Sequence, residues 1–134
     1  MKKTIITVSI VLLALLITFV SAYAIGTAPK NKGTFSVEDY AEYIAEPNFQ
    51  TERTYDAVTD WKSAAKVGKQ AILDRFGESA EGGLFEWMGC HVQYDKENDA
   101  YYVRVYHISR NVMGGAFDVI LKADGTILAI WGED

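Results

Sequence analysis

Two glycine turns near the C-terminus leave this chain few ways to fold. Gly114-Gly115 opens one apolar run, and Asp124-Gly125 separates it from a second, Thr126–Trp131. Glycine enters positive φ without the steric cost that a Cβ imposes, so both turns suit antiparallel pairing. Upstream, Leu84–Tyr94 and Tyr101–Ser109 change to a period near two, separated by the polar turn Asp95–Asp99, with an irregularity expected at Gly89. Four runs joined by three short connections predict a four-stranded antiparallel meander. Alternation places Tyr101, Val103, Val105 and His107 on one face of the second strand. Tyr102, Arg104, Tyr106 and Ile108 share the other.

Two helices are expected ahead of these strands. In Ser36–Ala45, Ser36 stands as N-cap, Val37, Tyr40, Ala41 and Ile44 recur at helical spacing, and Pro47 stops the run. Asp60–Phe76 carries the stronger signal. Trp61, Ala64, Ala65, Gly68, Ile72 and Phe76 form one stripe, Lys62, Lys66, Lys69 and Asp74 lie off it, and Gly77 is placed to end it. Helices first and strands afterwards predict an α+β domain with its helices on one face of a curved sheet. The expected core is Trp61, Ala65, Ile72, Phe76, Val103, Val105, Phe117, Val119 and Ile127, joined by Tyr40 and Tyr43.

The first 24 residues read as an export segment. Met1-Lys2-Lys3 is basic, Thr4–Val20 is almost wholly apolar, and Ser21-Ala22-Tyr23-Ala24 offers small residues where a signal peptidase cuts. An uncleaved N-terminal anchor is the alternative, because the run approaches the ~20 residues that span a bilayer. Either way the remainder is expected outside the cytoplasm. Residues 25–34, with Gly26, Pro29, Lys30, Asn31, Lys32 and Gly33, read as a flexible linker, and 35–134 as one domain.

Without Lys2 and Lys3, 11 basic residues face 18 acidic ones, a formal charge of −7. That balance argues against nucleic acid, whose phosphates call for a basic footprint. It suits a basic protein partner, or simply keeps an exported domain soluble. The single Cys90 forms no intrachain disulfide, so the fold depends on its apolar core.

Phe76-Gly77, Tyr101-Tyr102-Val103, Gly114-Gly115 and the Lys122–Leu128 hairpin fall in an order that resembles the bacterial immunity proteins of nuclear transport factor 2 fold, over roughly Tyr55–Gly132. The resemblance implies a cone-shaped α+β domain that binds and neutralises a toxin, with no catalysis of its own and no cofactor. The extra segment Ser36–Ala45 and the export signal depart from it. A weaker resemblance is to the PepSY domain, which implies an exported regulatory or inhibitory module.

Chemistry-bearing residues are few. Cys90 and His91 are strand neighbours and point to opposite faces, so they make no thiol–imidazole pair. A buried structural thiol is the expectation for Cys90. His91, His107 and Cys90 lack the close-spaced pairs of a metal site. Asp118 is the one candidate general base. It shares a strand face with Ala116 and Ile120, where burial would raise its pKa, unless it faces solvent or pairs with Arg104 across the sheet. Trp87, Tyr102, Tyr106 and Trp131 are the candidate binding set, an aromatic sheet face open to a partner.

Overall fold

A computed structural model describes residues 29–77, 88–107 and 115–133. The expected export segment, Trp87 and Gly114 lie outside the described residues. Five strands form one sheet in the order β1 (Lys30–Thr34), β2 (Met88–Asp95), β3 (Ala100–His107), β4 (Phe117–Lys122) and β5 (Ile127–Gly132). β2 to β5 are the expected antiparallel meander. The sheet is nonetheless mixed, because β1 pairs parallel to β2, Lys30 beside His91 and Asn31 beside Val92.

β1 corrects the linker expectation over Lys30–Thr34. All five residues are exposed, so no apolar pattern marks the strand. Its pairing comes from the backbone, and its lysines leave the outer edge a poor template for further strands. A bulge between Asn31 and Thr34 bends it, with Gly33 at φ 99° and its N–H donating to Asn31 Oδ1 at 3.0 Å.

The two helical segments lie on opposite faces of the sheet, not on one. The longer helix, α2 (Trp61–Phe76), follows the short α1 (Ala41–Ala45) in the chain. Asp60 caps α2, accepting from the Ser63 N–H at 2.7 Å, while Ser63 Oγ accepts from the Asp60 N–H at 3.1 Å. Two donors that a helix start would leave unpaired are thereby satisfied. Asp60→Ala should cost about 1 kcal/mol, read as a melting temperature lower by about 4–8 °C.

Ala64, Ala65, Gly68, Ala71 and Ile72 face Cys90, Val92, Val103, Val105, Val119, Leu121 and Ile130 across the main core. Small residues bring the helix close. A Cβ on Gly68 would stand 2.8 Å from Val103 Cγ1. Trp61, Phe76 and Phe117 pack at the rim of this core, partly buried, and the Phe76 and Phe117 rings meet at 4.8 Å.

The other face carries an aromatic cap. Phe35, Tyr40, Ile44 and Phe49 cover Tyr102, Ile120, Ala129 and Trp131. The segment expected as one helix is a 3-10 turn over Val37–Tyr40 followed by the single α turn of α1. Pro47 stops α1 but opens a second 3-10 turn, Pro47–Phe49, capped by the Glu46 side chain.

Ser36 makes no side-chain cap. The donor at the start, Val37 N–H, goes instead to Asp95 Oδ2 at 2.8 Å, from the end of β2. Asp95 is buried and also accepts from the backbone of Glu97 and Asn98 and from Asn98 Nδ2. Burial pushes its carboxyl up, but hydrogen bonds from Val37, Asn98 and Glu97 outweigh this and hold it below the usual range. One carboxylate thus ties the cap to the sheet and closes the β2–β3 turn.

Candidate functional site

The cap covers only part of its face. Beside it, a groove of about 470 Å³ is lined by Lys32, Tyr40, His91, Gln93, Tyr102 and Arg104. Strand register explains the grouping. His91 opposes Arg104 and Gln93 opposes Tyr102, while Asp118 opposes Arg104 from β4 and Trp131 from β5.

Asp118 is fully buried, at 0 % exposure. Its Oδ1 accepts from the Tyr102 hydroxyl at 2.5 Å and from Arg104 Nη1 at 3.2 Å. Its Oδ2 has no partner among the described residues. Burial pushes the carboxyl up to about 6, against the pull of the Tyr102 hydrogen bond and the Arg104 charge. Tyr102 is raised as well, first by its own burial and then by donation to Asp118.

Arg104 spends more of its fork on Glu133, with Nη1–Oε1 at 2.9 Å and Nη2–Oε2 at 2.7 Å. That bidentate grip raises its pKa and fixes the guanidinium over the end of β5. The cross-strand pairing of Asp118 with Arg104 and the burial of Asp118 therefore occur together.

His91 Nε2 is held by the Tyr106 hydroxyl at 2.6 Å. Gly89 makes this possible. It pairs regularly with Tyr106, without the irregularity expected there, and any Cβ on it would lie 2.5 Å from Tyr106 Cζ. The missing side chain leaves room for the ring to lie across the strand towards His91. Burial lowers the pKa of His91, and the charges of Lys32, Lys30 and Arg104 lower it further.

The predicted binding residues divide. Tyr106 is partly exposed, but Tyr102 and Trp131 are buried at 7 % and 5 %, so the open aromatic face is corrected: the cap covers it. Tyr43, expected in the core, is instead 41 % exposed. Its ring packs on Trp131 at 4.6 Å and runs nearly parallel to Phe49 at 5.9 Å. Glu42, Tyr43, Glu46, Asn48 and Phe49 border a second cleft of about 400 Å³.

Of the turn residues, Gly115 and Gly125 take positive φ, 82° and 91°, and Asp124 Oδ1 accepts from the Thr126 N–H at 2.9 Å. Cys90 is buried under α2, which pushes its thiol up to about 11. Register sets Val105 opposite it, and His107 opposite Met88. Comparison with protein-family models, with curated proteins and with solved structures finds no match to this chain.

Proposed function

We propose that this chain is a non-catalytic binding protein that works outside the cytoplasm and takes a basic protein partner, as an immunity protein takes a toxin domain. The supporting observation is the outer surface of the cap. From Phe35 to Glu52 the sequence holds Glu38, Asp39, Glu42, Glu46 and Glu52 and not one lysine or arginine. None of the five forms an ion pair among the described residues. Glu38 in the first 3-10 turn, Glu42 in α1 and Glu46 just beyond it crowd like charges into one short segment. In their midst stands Tyr43, exposed beside Phe49. An aromatic anchor ringed by acids matches the flat face and charge of arginine side chains on a partner.

On this reading the sheet and α2 are the frame of a nuclear-transport-factor-2-like cone, and the cap is the added contact surface. The PepSY-like alternative uses the same exported frame for regulation. An enzyme is the second reading, favoured by the raised pKa of Asp118, which suits a general base. It requires substrate to reach a carboxylate that is now sealed by Tyr102, Arg104 and the cap.

Titration calorimetry against a secreted toxin domain, sought first in the adjacent reading frames, tests the proposal. Tyr43→Ala and Glu42→Lys should each weaken binding by at least about tenfold, an effect of about 1–2 kcal/mol, and added salt should weaken it further. Turnover of a small molecule that Asp118→Asn abolishes, with no partner binding, would decide for the enzyme.

A further inference from the structure

The groove beside the cap has a composition that the proposed partner surface does not use. The chain as a whole is acidic, with a formal charge of −5, yet this groove collects cations and donors. Lys32 enters it from the β1 bulge, and Lys30 sits in register with His91. Neither lysine forms an ion pair among the described residues. Arg104 and Gln93 add N–H donors from β3 and β2. Of the nearby carboxylates, Glu133 is paired with Arg104 and Asp118 is fully buried, so neither opens onto the groove.

The arrangement is also built, at a cost. A glycine inside a paired strand loses side-chain packing and ordering entropy. Here Gly89 makes way for Tyr106, whose hydroxyl fixes His91 Nε2. Tyr40 and Tyr102 border it on the cap side, their rings 5.1 Å apart and tilted by 42°. The groove's size falls among the small-molecule sites of proteins, roughly 300–1,000 Å³.

We propose that this groove binds a small oxyanion, a carboxylate or phosphate group on a compact organic body, with Lys32, His91, Gln93 and Arg104 as its donors. The oxyanion lies towards β1, against Lys32, and the organic body lies against Tyr40 and Tyr102. Arg104 is pre-oriented by Glu133, so binding spends little of its rotamer freedom. The groove stands apart from the acidic surface around Tyr43, and occupancy of one does not presuppose the other.

The test follows the imidazole of His91 by nuclear magnetic resonance in the full exported chain, with His91→Gln assigning its signal and His107 as internal reference. Inorganic phosphate and succinate are titrated separately at ionic strength held constant with sodium chloride. A saturable shift of His91 and a rise in its pKa are expected, because an anion relieves the repulsion by Lys30, Lys32 and Arg104. Whichever of the two anions saturates at lower concentration identifies the headgroup. Lys32→Ala, an exposed change that should leave the amide spectrum intact, should weaken binding at least about tenfold, as expected for one charge-assisted hydrogen bond. A shift that chloride reproduces, that never saturates, or that survives unchanged in Lys32→Ala overturns the site.

Discussion

Gly125→Ala is expected to remove about 3–5 kcal/mol of stability, combining the cost of a forced left-handed backbone with that of overpacking. Gly125 sits at φ 91°, and an added Cβ would stand 2.0 Å from the Tyr55 carbonyl oxygen and 2.9 Å from that of Asp56. Backbone cannot retreat as a flexible side chain does. Moving Tyr55 away breaks its own N–H bond to the Gly125 carbonyl, 3.0 Å long, and strains the neighbouring Val58 N–H bond to the Ala123 carbonyl, 2.8 Å long. The Thr54–Thr126 bridge would go with them.

Gly77 supplies the control. It too has positive φ, 54°, but nothing lies within 4 Å of its Cβ position. Gly77→Ala should therefore cost less, about 1–3 kcal/mol, the backbone strain of φ 54° and ψ −126° with no overpacking added. Urea denaturation of both variants reads the difference. Equal losses would mean that the loop before α2 does not clamp the hairpin.

The contrast between α2 and β1 shows what a sequence displays and what it hides. α2 is legible because its stripe and its terminal Gly77 are local signals that agree. The meander was legible for the same reason, through alternation and turn glycines. β1 buries no side chain, so Lys30–Thr34 looks like any polar stretch, and only its backbone makes it a strand. Alternation likewise showed that Tyr102 shares a face with Arg104. It carried no sign that Phe35, Tyr40, Ile44 and Phe49 would lie over Tyr102 and Trp131.

The candidate site suffered from the same range limit. Asp118 stood out as an acid in an apolar strand, and its pairing with Arg104 was one of the outcomes the sequence left open. Which outcome holds depends on register between β3 and β4, set by contacts far along the chain. The tie from Asp95 to Val37 spans 58 residues, and nothing in the polar turn announces it. In the sequence Gly89 reads only as a break in a strand, and its purpose lies in Tyr106, which stands opposite it.

Asp118 also makes stability depend on pH in the sense opposite to that of most carboxylates. Its pKa is raised from 3.8 to about 6 in the folded chain. Between these values the folded state binds more protons than the unfolded state, so stability falls as pH rises. The neutral form therefore stabilises the fold fully below about 4, and the benefit is gone above about 6. Asp60, Asp74, Asp95 and Asp124 are shifted downward and act in the other direction, so the whole protein's profile mixes both.

Asp118→Asn isolates the one contribution. The amide oxygen can still accept from Tyr102 and Arg104, and the amide nitrogen occupies the place of the unpartnered Oδ2, so the variant imitates the protonated acid at every pH. Relative to Asp118→Asn, the wild-type protein should lose about 2–3 kcal/mol between pH ~4 and pH ~8. Urea denaturation of the two proteins across that interval measures the difference. Parallel profiles would show that Asp118 titrates as an ordinary carboxyl and that water reaches it. A wild type that gains on the variant as pH rises would show instead that Arg104 and Tyr102 outweigh burial, which would leave the acid ionised in the fold.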